Sequence, residues 1–338
     1  MPLDQLVRFA AERPLDIAEA EEAFGQVMRG EATPVQIAAL LVAIKVRGAV
    51  SEEVAGGVRA LRRAMIPVEV GDAVVVDTCG TGGGALTTFN ISTAAALLAS
   101  GLGVRVAKHG NRSFTSRCGS ADVLESLGVR IELKPDQQAR VLDEAGIVFM
   151  FAPNHHPAMR HVGPVRRELG MFTIMNLLGP LTNPAGARRQ VVGVSDPAHL
   201  ELVAGALAAL GHERALVVHG EPGLDELSPL GITHIVEIDG DLTRSYDFDP
   251  AESLGWKGYD RTELAGGEPE ENAAVITAVL SGERGGAARS AVLINAAGAL
   301  LVAGRVANLE SGVAEAERGL DSGAGWEQLQ RLREASAR

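Results

Sequence analysis

The sequence contains few cysteines, few aromatic residues and no long apolar run. Its 338 residues include only two cysteines, Cys79 and Cys118, and two thiols without repeated metal-ligand spacing predict neither a disulfide framework nor a zinc site. Aromatic residues make up 4% of the chain, which disfavours stacking platforms for bases. No stretch is long and uncharged enough to span a bilayer, and the amphipathic segment 1–13 is not typical of a signal peptide. We therefore expect a cytoplasmic protein with no membrane partner.

Positive charge is also scarce. The chain has 31 Lys and Arg residues against 43 Asp and Glu residues, which gives a formal net charge of -12. Because an acidic surface repels the phosphate backbone of nucleic acids, a nucleic-acid partner is not expected. An anionic small substrate remains compatible with this charge where cationic side chains gather in one cleft. With 46% hydrophobic residues, the chain can bury a sizeable core, and its length favours one large domain with a smaller one.

The first part of the chain has apolar residues at helical spacing. N-cap residues precede several of these stretches, and Pro and Gly separate them. The pattern predicts four helices at about 3–11, 15–28, 34–46 and 52–65. Four short helices in succession indicate a small helical domain, which we place at residues 1–67.

After residue 67 the pattern changes to short β-branched runs that alternate with helical stretches. This alternation predicts an α/β domain over 68–338 with a central, mostly parallel sheet flanked by helices. Residues 266–271 are predicted to be a surface turn, and the chain from about 272 is predicted to be mostly helical. The predicted strands are 74–76, 104–107, 147–151, 190–194, 215–219 and 233–238, and the predicted helices include 91–100, 121–127 and 198–210.

A glycine-rich segment, DTCGTGGG at 77–84, follows the first predicted strand and precedes a helix. Glycines allow a close approach to an anion, and a helix N-terminus offers unpaired N–H groups. Asn90, Ser92 and Thr93 add donors there, although Asn90 or Ser92 could simply cap the helix. The segment has neither the Walker lysine nor the dinucleotide glycine pattern. It therefore favours phosphate binding without nucleotide hydrolysis or hydride transfer.

A second polar segment, KHGNRSFTSRCGS at 108–120, also lies between a predicted strand and a helix. Its position predicts that it emerges at the same edge of the sheet as the glycine-rich segment. Such a concentration of cationic and hydroxyl side chains in an acidic chain favours a multiply phosphorylated sugar as ligand. A solvated surface loop is the alternative.

Two further segments contain candidate ligands. Arg166 lies about two helical turns beyond Met159, so both could face one cleft, whereas the nearby His155 could equally be a structural histidine. Asp225 and Glu226 follow a predicted strand that ends near residue 220. Adjacent carboxylates on a turn are often only solvated, but in a loop both can reach magnesium, which prefers oxygen ligands.

Together these segments resemble the anthranilate phosphoribosyltransferase family of tryptophan biosynthesis. The match runs from the N-terminal helices to the C-terminal region. In one departure, Gly84 stands where the family's glycine loop usually continues with Asp, and no role is carried over for that carboxylate. The family's hallmarks appear in the order GTGG at 80–83, NIST at 90–93, KHGNR at 108–112, GPLTNP at 179–184 and GLDE at 223–226.

The resemblance implies magnesium-dependent transfer of a 5-phosphoribosyl group from phosphoribosyl diphosphate to the amine of anthranilate, with release of diphosphate. It assigns anthranilate to Gly80, Asn111, His155 and Arg166, where the planar guanidinium suits a carboxylate. It assigns magnesium to Ser92, Asp225 and Glu226. The residues that it implies for phosphoribosyl diphosphate are Gly80, Gly83, Gly84, Thr88, Asn90, Ile91, Ser92, Thr93, Lys108, His109, Gly110, Asn111, Arg112, Ser113, Phe114, Thr115, Ser116 and Ser120.

An aromatic amine is uncharged at neutral pH, so positioning and electrostatics can suffice for catalysis, and His109 is the only candidate base. The alternatives are a pyrimidine nucleoside phosphorylase and a non-catalytic relative that binds nucleic acid. Arg166 and the intact 179–184 segment favour the transferase over the first, and the charge of -12 disfavours the second. The resemblance also implies a homodimer joined through the helical domain, which residues 166–182 would join, and a cleft between domains that closes on binding.

Overall fold

The structure is a computed structural model that describes residues 1–82, 84, 86–113 and 117–338. Its first four helices form a bundle, as predicted. The Asp16 side chain accepts a hydrogen bond from the Glu19 N–H, and Thr33 does the same for Gln36, so capping boxes start two of the helices. The four helices are α1 (Leu3–Glu12), α2 (Ile17–Met28), α3 (Pro34–Arg47) and α4 (Ser51–Ala64).

A seven-stranded sheet with the order β3-β2-β1-β4-β5-β6-β7 forms the centre of the rest of the chain. The first five strands are parallel, and β6 and β7 are antiparallel additions at one edge. This arrangement confirms the predicted α/β class with a mostly parallel sheet. The strands are β1 (Val76–Gly80), β2 (Val106–Gly110), β3 (Ile147–Phe151), β4 (Arg189–Gly193), β5 (Arg214–Gly220), β6 (Thr233–Asp239) and β7 (Leu242–Phe248).

The remaining helices cover the sheet. Among the described residues, none is long and apolar enough to cross a membrane. Short 3-10 turns lie at Pro157–His161, Gly179–Leu181, Pro197–His199 and Arg261–Leu264. The helices are α5 (Ile91–Gly101), α6 (Ser120–Ser126), α7 (Pro135–Ala145), α8 (Ala152–His155), α9 (Gly163–Leu169), α10 (Met175–Leu178), α11 (Leu200–Ala209), α12 (Pro250–Ser253), α13 (Pro269–Leu280), α14 (Gly286–Val302), α15 (Leu309–Asp321) and α16 (Ala324–Ala337).

Alternate residues of the central strands belong to two separate cores. Val191 and Leu216 face the core that contains α5 and α14, whereas Val192 and Val217 face the core that contains the four-helix bundle and α11. This follows from the two-residue period of a strand, since neighbouring side chains point to opposite faces. The helical bundle is therefore packed on one face of the sheet.

Two predicted strands lie two residues too early. The ladder positions of β1 and β2 include Asp77, Lys108 and His109, which are all buried. The prediction placed these residues after the strands, which was wrong. They lie inside the strands because hydrogen bonds within the sheet compensate the cost of burying their polar groups. Residues 266–271 are not a turn throughout, since α13 begins at Pro269. The pattern also gave no signal for β7, whose side chains are mostly exposed.

Gln138 on α7 offers a test of the core. Its side chain is 0% exposed, and neither amide atom has a hydrogen-bond partner among the described residues. Because an unpaired buried amide is unfavourable, Gln138→Met is expected to raise the free energy of unfolding by about 1 kcal/mol. Urea unfolding measures the change. Gln328→Met is the control, since its amide donates to Ala145 O and its loss should destabilise. A destabilised Gln138→Met protein would contradict the prediction.

Candidate active site

The candidate site lies at the carboxyl ends of β1, β2, β4 and β5. The chain runs outward from β1 through β2 to β3 and then returns to place β4 on the other side of β1. Such a reversal leaves a crevice at the strand ends where ligands bind in open α/β sheets. The Thr81 N–H donates to Gly193 O at 2.9 Å, which continues the contact between β1 and β4 into this crevice.

The two adjacent carboxylates after β5 contact the glycine-rich segment and the start of α5. Asp225 Oδ2 accepts a hydrogen bond from Gly82 N at 2.9 Å, and Glu226 Oε1 accepts one from Ser92 N at 3.1 Å. The acidic loop lies very close to Gly80, and a Cβ atom at that position would be 2.5 Å from Asp225 Oδ2. The sequence therefore needs glycine at position 80 for the acidic loop to reach this edge.

These carboxylates form an oxygen-rich pair that lacks full charge compensation. Burial raises the pKa of Asp225, and burial followed by the neighbouring Asp225 charge raises the pKa of Glu226 to about 8. A divalent cation beside them would reverse this effect, and with the Ser92 hydroxyl they offer oxygen ligands suited to Mg²⁺. The described residues contain no group of three or more His, Cys, Asp or Glu side chains that could hold a metal ion. Two carboxylates and one hydroxyl would leave the remaining positions around a hard cation to water and substrate oxygens.

Lys108 does not extend into the crevice but lies under it. Its side chain is buried, and Nζ donates to Thr78 O and, at 3.2 Å, to Ser92 Oγ. Burial lowers the pKa of Lys108, while the nearby Asp77 carboxylate opposes that shift. Its ammonium therefore lies near the Ser92 hydroxyl and contributes positive potential from below.

Two carboxylates hold the cationic segment after β2 in its present conformation. The Arg112 guanidinium donates to Asp122 at 2.9 Å and to Glu125, and these contacts raise its pKa. The amides of Ser113 and Gly119 donate to Asp122 Oδ2 at 3.2 and 2.8 Å. An anionic ligand would therefore have to compete with Asp122 and Glu125 for Arg112.

Hydrogen bonds also fix the ends of this segment. Ser120 Oγ donates to Asn111 O at 3.4 Å. Asn90 stands at the N-cap position of α5 but makes no capping bond with its side chain. Instead, its Nδ2 donates to Cys118 O at 3.3 Å, and its Oδ1 accepts from Asn272 Nδ2 at 2.9 Å. Asn90 thus joins the two loops to α13.

The histidines divide into a contact pair and a structural residue. His109 Nε2 and His156 Nε2 are 3.2 Å apart, and burial lowers the pKa of His109 well below its usual range. His155 is 0% exposed, and its Nδ1 donates to Ile66 O at 2.8 Å. In this conformation His156 lies beside His109, whereas His155 holds the chain that follows the bundle. The assignment of His155 to anthranilate stays a prediction.

Arg166 on α9 is partly buried, and burial lowers its pKa. Within the described part of the chain, its guanidinium forms no side-chain hydrogen bond or ion pair. The neighbouring Arg167 is exposed. A partly desolvated guanidinium without an acidic partner is suited to bind a carboxylate from a ligand.

The structure brings most of the predicted residues to the same sheet edge. Ile91 and Thr93 are buried, so a ligand could contact them only through the backbone. A side chain at Gly84 would meet Gly223 O at 3.0 Å. Asp77 and Asn183, which no sequence pattern singled out, form a buried hydrogen bond of 2.8 Å beneath this edge. Gly83, Phe114, Thr115 and Ser116 lie outside the described residues, and those placed around the edge are Gly80, Gly84, Thr88, Asn90, Ser92, Lys108, His109, Gly110, Asn111, Ser113, Ser120, Asp225 and Glu226.

These features define a two-part α/β enzyme in which a glycine-rich loop, a cationic loop and an acidic pair share one sheet edge. The chain belongs to the glycosyl transferase family, whose helical bundle domain matches residues 4–65 and whose a/b domain matches residues 72–326.

Individual relatives agree with this membership. The chain is 50% identical to an anthranilate phosphoribosyltransferase of Rubrobacter xylanophilus over 99% of its own length and 97% of the relative. It is similar to the crystal structure of an anthranilate phosphoribosyltransferase from Thermus thermophilus, with a TM-score of 0.93, 45% identity and coverage of 98% and 99% of the two chains. The Saccharomyces cerevisiae enzyme in complex with PRPP and Mg gives a TM-score of 0.89 at 25% identity over 99% and 98% of the two chains.

His156 allows a test of the site's electrostatics. Burial lowers its pKa to about 4 from 6.5. Between these pH values the unfolded chain binds a proton that the folded chain does not, so stability falls as the pH falls through this window. His156→Gln should therefore gain about 2 kcal/mol of unfolding free energy relative to the unmodified protein between pH 7 and pH 5. Urea unfolding at both pH values measures this, and an unchanged difference would contradict it.

Proposed function

We propose that this chain transfers the 5-phosphoribosyl group of phosphoribosyl diphosphate to the amine of anthranilate and releases diphosphate. The observation that supports this most directly is the meeting of Asp225 and Glu226 with the amides of Gly82 and Ser92, at 2.9 and 3.1 Å. Carboxylates would normally keep an anion away from these amides. A cation bound to the carboxylates would instead attract a diphosphate to the same edge. The names of the relatives, which share about half of the sequence, support the same reaction.

The reaction depends on Mg²⁺, for which Ser92, Asp225 and Glu226 are the proposed ligands. The ion supplies Lewis-acid stabilisation of the negative charge on the departing diphosphate. The amides of Gly82 and Ser92 lie at the same edge and would donate to the diphosphate once Asp225 and Glu226 bind the metal instead. Cleavage of the bond from C1 of the ribose to diphosphate leaves positive charge on the sugar, and the amine attacks from the opposite side.

Arg166 holds the carboxylate of anthranilate, and Gly80, Asn111 and His155 are the other proposed contacts of the acceptor. His109 acts as at most a weak base at neutral pH, because burial first and His156 second lower its pKa. The amine needs no strong base, since it is uncharged before attack. Positioning of the amine against C1 then supplies most of the rate enhancement.

The assembly and the cellular context are part of the same proposal. The reaction serves tryptophan biosynthesis in the cytoplasm, and two copies associate through the helical bundle. Val35 and Val46 on α3 are 78% and 82% exposed, which leaves apolar side chains for such a contact. Residues 166–182 join the domain formed by 1–67: Leu177 and Leu178 share its core, and Arg62 Nη2 donates to Leu181 O at 2.8 Å. Sedimentation of the purified chain measures the oligomeric state.

The first test follows the loss of anthranilate fluorescence with phosphoribosyl diphosphate, in Mg²⁺ and after chelation. We expect turnover that requires the metal. Asp225→Asn should lower it strongly, because one of the two proposed carboxylate ligands is lost. Folded protein that shows no turnover at any metal concentration would contradict the proposal, and phosphorolysis of a nucleoside would be assayed next.

The second test concerns the acceptor. Arg166→Ala should raise the KM for anthranilate about 10- to 100-fold, because a charge-assisted hydrogen bond contributes about 1.5–3 kcal/mol. The KM for phosphoribosyl diphosphate should change little. Arg167→Ala removes the same charge from the exposed neighbouring position and is the matched control. Equal effects of the two substitutions on the KM for anthranilate would refute the assignment of Arg166.

A further inference from the structure

Strands β1 and β2 separate almost as soon as they pair. Their ladder joins only Val76 to Val106, whereas β1 with β4 and β2 with β3 pair over five consecutive positions. The glycine-rich segment and the cationic segment leave the carboxyl ends of these two strands. The gap between β1 and β2 therefore sets the distance between the two loops.

Side chains supply the hydrogen bonds that the interrupted ladder lacks. Asp77 Oδ1 accepts from His109 N at 3.1 Å. Lys108 Nζ donates to Thr78 O, and Ala107 O accepts from a side-chain amide at 2.8 Å. Buried backbone groups require such partners, and in a continuous parallel ladder the neighbouring strand would provide them. His109 N, Thr78 O and Ala107 O are therefore all hydrogen-bonded although the two strands have separated.

Asn183 is the side-chain amide in this gap. It is 0% exposed, and its Nδ2 donates to Asp77 Oδ2 on β1 and to Ala107 O on β2, both at 2.8 Å. Its Oδ1 accepts from Ala185 N at 2.8 Å, which fixes the orientation of the amide. One buried side chain from the 179–184 segment therefore bonds to both strands. The proposed reaction assigns no binding or catalytic role to the 179–184 segment.

We propose that Asn183 and Asp77 are positioning residues that hold the carboxyl ends of β1 and β2 apart and thereby set the spacing of the two loops that bind the diphosphate sugar. The inference rests on the proposed function. Both side chains are 0% exposed and so touch no substrate. The diphosphate sugar contacts several residues of both loops and so depends on their spacing. The aromatic amine is held mainly by Arg166 on α9 and contacts only one residue of each loop, Gly80 and Asn111, so it depends on the spacing much less.

Kinetics separate this role from a general loss of structure. In Asn183→Ala, Ala107 O and Asp77 lose a shared donor, and the strand ends can move towards regular pairing. We expect the KM for phosphoribosyl diphosphate to rise about tenfold or more, because small displacements of binding groups have large effects. The KM for anthranilate should change less than about twofold. A KM for phosphoribosyl diphosphate that stays unchanged would overturn the proposal.

Gln328→Ala is the matched control, since it also removes a buried amide that donates to a backbone carbonyl, that of Ala145 near the amino end of β3. It should lower stability without changing the KM for phosphoribosyl diphosphate, and an equal rise in both variants would overturn the inference. If Asn183→Ala does not fold, Asn183→Ser, whose hydroxyl can still donate to one of the two strands, replaces it.

Calorimetric titration with inorganic diphosphate and Mg²⁺ needs no turnover. Weaker binding to the Asn183 variant than to the control supports the positioning role even if the transferase assay fails. Equal binding overturns the positioning role even if the unmodified protein is active.

Discussion

The buried carboxylate of Asp77 is the interaction on which the geometry of the site depends. It accepts hydrogen bonds from His109 N, Asn183 Nδ2 and Gln190 Nε2 at 3.1, 2.8 and 3.2 Å. These donors belong to β2, to the 179–184 segment and to β4, so one side chain connects three parts of the chain. An isolated buried charge would be strongly unfavourable, and the donors together with Lys108 make it tolerable. Their positions are therefore fixed together.

The same segment connects the site to the helical bundle. Gln190 Nε2 also donates to Pro180 O at 3.1 Å, and Arg62 on α4 donates to Leu181 O at 3.2 and 2.8 Å. A displacement of the bundle relative to the sheet would act on these carbonyls first. The 179–184 segment thus lies between the packing of the bundle and the opening of the two strands.

The sequence predicted the fold class and the order of its elements because apolar periodicity decides both. The capping residues Asp16 and Thr33 located two helix starts within one or two residues. Prediction failed where polar residues were buried: Asp77 and Lys108 read as the ends of strands, yet they lie inside them. Only the three-dimensional arrangement shows that Asn183, about a hundred residues later, makes this burial possible. The resemblance named a group of candidate site residues, but it could not show that Lys108 and Arg112 already have partners within the protein.

The distribution of charge at this sheet edge favours binding of a diphosphate together with a cation. Two of the cations expected near the phosphates are already engaged, Lys108 beneath the Ser92 hydroxyl and Arg112 with Asp122 and Glu125. Glu226 occupies the amide of Ser92 at the start of α5, the place where an anion would otherwise bind. Without a metal, the Asp225 and Glu226 side chains occupy the amides at this edge, and any negative charge that they carry repels an incoming diphosphate. A divalent cation bound as proposed would make Asp225 and Glu226 its ligands, and their charge would then no longer oppose the diphosphate. Binding of metal and diphosphate is therefore coupled by charge alone, before any movement of the loops is considered.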